Sequence, residues 1–139
     1  MNIQVGQEVP GLVKKMTQEV INQWARLSKD YNSIHIDPDF ARQTRFGGTI
    51  AHGHLALSYL GEMMLAWAEK AWVYSGKLEE IKFVAPVYPG KTYRLGGAVT
   101  GIAELAENKQ QINCEVYVKD TAEEHDCVTG KASFITGED

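Results

Sequence analysis

The sequence predicts an α+β fold in which one curved antiparallel sheet wraps around a single long central helix. Two observations carry this reading. From about residue 51 to residue 74 the chain is apolar around most of a helical circumference. Leu55, Tyr59, Met63 and Trp67 form one stripe, with Ala56, Leu60, Met64, Ala68 and Ala71 beside it. A helix of that kind is buried rather than laid on a surface. After Gly76 the period changes to two, most clearly where Ile112, Cys114, Val116 and Val118 alternate with Asn113, Glu115, Tyr117 and Lys119. A sheet with one apolar face needs a cover, and the long helix is the only element large enough. The helix is also too apolar for one sheet alone, so a second subunit is expected.

The elements follow in order. Residues 9–16 read as a short first strand. Thr17 caps a helix over 18–29, with Glu19 favouring its N-terminal dipole and Val20, Trp24 and Leu27 on one face. Asp30 therefore lies just past a helix end, in a loop running through Ser33 to the Asp37-Pro38 turn. A helical turn over 40–45 precedes the long helix, in which Gly53 and Gly61 mark close backbone approaches. Residues 80–87 read as a strand. Proline then glycine in Tyr88-Pro89-Gly90-Lys91 form a type II turn. A long strand over 92–105 has a weak point at Gly96-Gly97. Val128, Gly130, Ala132 and Phe134 line the inner face of a last strand. The four final strands are expected to form a meander. No repeat or linker interrupts the chain, so residues 1–139 read as a single domain.

Composition narrows the function classes. Lysine and arginine total 14 against 18 acidic residues, a formal net charge of -4. That balance opposes nucleic acid or an anionic membrane as the main partner. Cys114 and Cys127 form no CxxC pair, which opposes a disulfide framework and a thiolate zinc site. With no basic-then-apolar leader and no run of about 18 apolar residues, a cytoplasmic, non-membrane protein is expected.

The chemistry concentrates in two segments. Asp30 and His35 share one loop, with Asn32 between them. A carboxylate can deprotonate or orient water, and an imidazole can give or take a proton near neutrality. The same residues also serve as turn caps and packing groups, and spacing alone leaves both readings open. The second segment runs through Gly47, Gly48 and Gly53 into the long helix. Unpaired N–H groups there can hold a carbonyl oxygen that gains negative charge. Ser58 can bond a catalytic side chain or its own backbone. It lacks the G-x-S-x-G setting of a nucleophile. His52 and His54, two apart on a helix, face different ways and form no metal motif, so no metal is expected. Glu62 is a second carboxylate, on the long helix itself. Arg42, Arg45 and Lys82 can meet phosphates at a pocket entrance. Tyr59, Met63, Met64, Trp67 and Trp72 can line an acyl pocket or simply fill the core.

Together the two segments resemble the MaoC-like family of (R)-specific enoyl-CoA hydratases and hydroxyacyl thioester dehydratases. Asp30, Asn32, His35, Asp37 and Pro38 fall in register with the family's first motif, and His52, Gly53 and Ser58 with its second. The turn around Val84-Ala85-Pro86 and its flanking strands extend the resemblance over roughly residues 8–136. Ser33 replaces a family proline, and His54 a usually apolar residue. The resemblance implies a hot-dog fold, a homodimer or higher homo-oligomer, and a site between subunits. It gives Asp30 and His35 the catalytic positions. Asn32 and Ser58 are supporting residues, and Gly53 is the backbone donor to the thioester oxygen. Arg42, Arg45, Tyr59 and Met63 would face the substrate. The implied reaction is reversible hydration of a trans-2-enoyl thioester, without redox cofactor or metal. Coenzyme A or a carrier protein's pantetheine would be the handle, and short to medium acyl chains are expected. A hot-dog thioesterase using Glu62 as base, and a non-catalytic acyl-thioester binding subunit, are the competing readings.

Overall fold

The computed structural model describes residues 2–137. The elements are β1 (Glu8–Lys15), α1 (Gln18–Ser28), α2 (Ser33–Ile36), α3 (Pro38–Arg42), α4 (Gly53–Ala68), α5 (Lys70–Ser75), β2 (Lys77–Phe83), β3 (Thr92–Glu104), β4 (Lys109–Asp120) and β5 (Asp126–Gly137). They form one five-stranded antiparallel sheet in the order β1-β3-β4-β5-β2, with α4 packed across it. This is the hot-dog arrangement that the sequence led us to expect.

Alternation sets the register. Tyr93 lies opposite Asp120 at one end of the β3–β4 pair and Glu104 opposite Gln110 at the other. Ile112, Cys114, Val116 and Val118 all point into the core, where Val128, Ala132 and Phe134 of β5 meet them. Leu55, Ala56, Leu60, Met63, Met64 and Ala68 of α4 face the same core. Each fully buried large side chain there contributes about 1.5–3 kcal/mol, which holds α4 against the sheet. Thr17 Oγ1 accepts from Val20 N and caps α1 as its sequence requires. Gly90 has φ of +89°, the left-handed conformation a type II turn demands of its third residue.

Several expectations need correction. The long helix does not run unbroken to residue 74. It stops at Glu69, whose φ is +52°, and α5 sets off on a new axis. The break lets α5 lie on β5, where Ile135 N donates to Ser75 Oγ at 2.8 Å. The strand expected over 80–87 is shifted to Lys77–Phe83, because Pro86 has no N–H for a ladder. Val84 N and Ala85 N instead both donate to Cys127 O, at 2.9 and 3.2 Å, and turn the chain away. Nor are the last four strands a simple meander: β2 crosses to the far edge and pairs with β5. On α1 the buried residues are Ile21 and Ala25, whereas Leu27 is exposed. Gly61 meets no close neighbour, so only Gly53 of the two helical glycines marks a tight approach.

Candidate active site at the start of the central helix

Three short segments meet at the N-terminus of α4. The loop after α1 begins with Lys29 in the left-handed region, ending the helix and throwing Asp30 outward. Asp30 Oδ1 then accepts from Asn32 N at 3.2 Å, and Asn32 Oδ1 caps α2 by accepting from Ile34 N at 3.2 Å. This cap starts the single turn that carries His35. Gln18 reaches across from α1: its Nε2 donates to His35 O at 2.8 Å, and its Oε1 accepts from Thr49 Oγ1 at 2.6 Å. Ile50 N donates to Ile34 O, and Ala51 N to Val87 O. The Asp30–His35 loop, the helix entry and the 84–87 segment are thus tied by backbone and partly buried polar bonds.

His35 Nδ1 lies 2.7 Å from Ile50 O. A carbonyl only accepts, so Nδ1 carries the proton, and in neutral His35 the Nε2 lone pair is left free. His52 Nε2 lies 3.0 Å from Asp30 O and by the same logic is protonated. The two imidazoles stack, with ring centroids 3.9 Å apart and planes 25° from parallel. His52 is 3% exposed, and its Nδ1 has no hydrogen-bond partner among the described residues. Burial lowers its pKa, opposed by the Asp30 carbonyl bond and reinforced by His35. The side chains of Asp30, His35 and His52 each offer a ligating atom within 4.8 Å of the others. Stacked rings hold their in-plane lone pairs side by side rather than converging, and one nitrogen of each is already bonded to a carbonyl. With the second His52 nitrogen buried, only the Asp30 carboxylate and His35 Nε2 stay open to a water, and the trio is poorly arranged for a metal ion.

A cavity of about 540 Å³ opens beside His35 and His52, with Arg45, Gly53, Phe83 and Val87 also in its walls, while Asp30 is not part of its lining. Its walls bring polar groups and an apolar surface to one place, as small-molecule sites do. Gly53 is the first residue of α4, where N–H groups have no partner within the helix. A side chain at this position would put its Cβ 3.0 Å from the Phe83 ring, which would have to give way by a few tenths of an ångström.

The other sequence candidates stand as follows. Ser58 Oγ donates to Leu55 O at 2.6 Å, within its own helix, and is not joined to Asp30 or His35. Arg45 lines the cavity and lies 4.8 Å from the Phe46 ring. Arg42, Tyr59 and Met63 are not among its lining residues. Arg42 pairs with Asp39 one turn back along α3. Tyr59 faces β1, where Lys14 Nζ lies 4.9 Å from its ring. Met63 sits at 0% exposure in the core beneath the sheet. Glu62 is paired with Lys14 at 2.9 Å, on the β1 side of the helix. Lys82 lies with Glu8 and Glu80 over the outer sheet face. Cys114 and Cys127 are free and buried, and desolvation pushes Cys114 up to about 11, so it offers no thiolate near neutrality. Sequence reasoning missed the part played by His52 and the wall formed by Phe83 and Val87. The one signal for His52 was its place immediately before Gly53.

The MaoC like domain model matches residues 3–124 of this chain. Over 108 residues the chain is 32% identical to the 3-hydroxyacyl-thioester dehydratase Z of Mycobacterium tuberculosis, covering 75% of this chain and 71% of that protein. It is also 32% identical over 104 residues to the (R)-specific enoyl-CoA hydratase of Aeromonas caviae, covering 74% and 75% of the two chains. The solved structure of the (R)-hydratase of A. caviae, described as involved in PHA biosynthesis, superposes with a TM-score of 0.78 at 25% identity, over 98% of each chain. A hot-dog fold with this paired motif at the entry of its central helix defines the MaoC-like class. The chain belongs to the MaoC-like dehydratase / (R)-specific enoyl-CoA hydratase family.

Proposed function

We propose that this protein reversibly hydrates trans-2-enoyl-CoA to (R)-3-hydroxyacyl-CoA, or runs the same step in reverse as a dehydratase. The observation that carries the reading is the approach of the Asp30 carboxylate and the His35 ring to within 4.8 Å, beside a cavity that ends on the first turn of α4. One water bridging the two would have an acceptor on each side, because His35 Nδ1 is already used and Nε2 is free.

The chemistry follows from these positions. The thioester oxygen faces the N–H of Gly53, which withdraws charge toward the helix terminus as the enolate develops. Asp30 acts as base, and His35 orients the water and passes a proton on to C2. Water gives its oxygen to C3 and one proton to the pair. The pair returns one proton to C2, so carboxylate and imidazole end as they began. Dehydration traverses the same states backwards. Arg45 at the cavity wall is the cation best placed to meet a handle phosphate. Two copies joined through a sheet edge, with the site between them, complete the reading; light scattering at working concentration measures that state.

The thioesterase alternative loses its base, since Glu62 points to Lys14 rather than into the cavity. The test is a spectrophotometric panel of short, medium, branched and aromatic enoyl-CoAs with a thiol reagent present. Loss of enoyl absorbance with no thiol release supports hydration. Thiol release in step with substrate loss would instead mean hydrolysis, and saturable binding without either change would mean a binding subunit.

A further inference from the structure

We propose that His52 is a positioning residue for the reaction, holding the Asp30–His35 pair in register with the start of α4. This inference rests on the hydration reading but draws on different contacts. One side chain touches both members of the pair. Its Nε2–H donates to the main-chain oxygen of Asp30 at 3.0 Å, and its ring lies flat against His35 at 3.9 Å. Its backbone is the N-cap of α4, directly before Gly53. The base, the water-orienting ring and the oxyanion donor are therefore all referred to one rigid imidazole.

Burial gives that imidazole its usefulness. At 3% exposure, with Nδ1 unpartnered, a second ring proton would be trapped without an acceptor and beside the His35 ring. The neutral form with its proton on Nε2 is the one that fits. It donates to Asp30 O without placing a positive charge against His35, whose own proton traffic is left undisturbed. His52 also makes no exchange with the reacting atoms in this arrangement, since its one free nitrogen is buried. Small errors in the placement of a catalytic pair are costly. A displacement of about 1 Å can lower a rate roughly 100-fold.

The role separates from mere packing by two substitutions. His52→Phe keeps a flat ring against His35 and removes the N–H to Asp30. His52→Gln removes the stack and keeps an amide N–H within reach of the same carbonyl. With an enoyl-CoA that the wild type turns over, the Phe variant should lose roughly 10–100-fold in kcat with KM changed less than about twofold. The Gln variant should recover several-fold of that loss without a higher Tm than the Phe variant. Wild-type kcat in His52→Phe overturns the proposal, as does a kcat loss that simply follows Tm across both variants. Nitrogen-15 NMR of the wild-type imidazoles at pH 7 provides a readout that needs no turnover and no variant. A single neutral His52 with its proton on Nε2 is expected. A cationic ring, or a proton on Nδ1, overturns the proposal even if the enzyme is active. A wild type without enoyl turnover would sink the hydratase reading, while the tautomer would still decide whether His52 makes the contact proposed.

Discussion

Among the described residues two clusters join histidine to carboxylate, and they differ in how completely their polar atoms are bonded. At the β4–β5 turn, Asp120 is 2% exposed and both its oxygens are in use. Oδ2 bonds Lys91 Nζ at 2.5 Å, while Oδ1 accepts from Ala122 N and Glu123 N. His125 and Glu123 bond one another at 3.0 Å. At the α4 entry, Asp30 is exposed and accepts one backbone bond at 3.2 Å, and His35 commits only one of its two nitrogens. In the first cluster Asp120 has spent its hydrogen-bonding capacity on closing a turn. The second keeps an uncommitted nitrogen on His35 and an exposed carboxylate on Asp30, with ligating atoms of the two within 4.8 Å. Composition alone would have ranked the two equally. Capacity left over after the fold is satisfied is what a cluster needs in order to react.

The sharpest test of this contrast removes the free acceptor. His35→Gln should lower kcat by roughly 10²–10⁴, the usual range for a general acid–base group, and lower Tm by a few degrees because the bond to Ile50 O and the stack on His52 go with the ring. A melting curve and initial rates on one preparation check both halves. Next in size is the apolar ground on which both clusters stand. Leu60 is at 0% exposure beneath the sheet, and Leu60→Ala should cost about 2–5 kcal/mol in urea unfolding while leaving kcat per folded molecule near wild type.

Asp120→Asn should act on stability alone. The Lys91 bond comes first among the causes holding the Asp120 carboxyl below the ordinary carboxylate range, against the opposing pull of desolvation. With the folded value depressed, its stabilisation is complete above the unfolded carboxylate value and drains away as pH falls through the folded one. The wild type should therefore lose Tm on acidification below about pH 4. Asp120→Asn should start several degrees lower at pH 7 and show less of that acid loss, with unchanged kcat. An unaltered acid limb would remove Asp120 from the structural role. Smallest of all, Glu62→Gln should leave turnover within about twofold and release no thiol. A large drop there would revive a base on the central helix.

Much of the sheet was legible in the sequence because strand alternation is local: Ile112, Cys114, Val116 and Val118 fall inward wherever β4 is placed. The crossing of β2 to the far edge was not, since pairing partners are chosen by the whole sheet. The break at Glu69 was equally hidden, because glutamate favours helix and gives no sign of a positive φ. At the site, the Asp30 and His35 pair could be named from spacing and resemblance, but their support could not. His52 acts on Asp30 across 22 residues of chain, and Gln18 ties His35 to Thr49 by bonds that exist only once α1 has docked. Ser58 shows the converse: its motif position is right, yet its hydroxyl is turned onto Leu55 O.

The most direct measurement compares Asp30→Asn with wild type, following enoyl absorbance and Tm together. The account predicts a kcat at least about 100-fold lower with Tm changed by no more than about 2 °C, because Asp30 spends little of its bonding on the fold. Turnover close to wild type, or a collapse in Tm as large as that of Asp120→Asn, would contradict it.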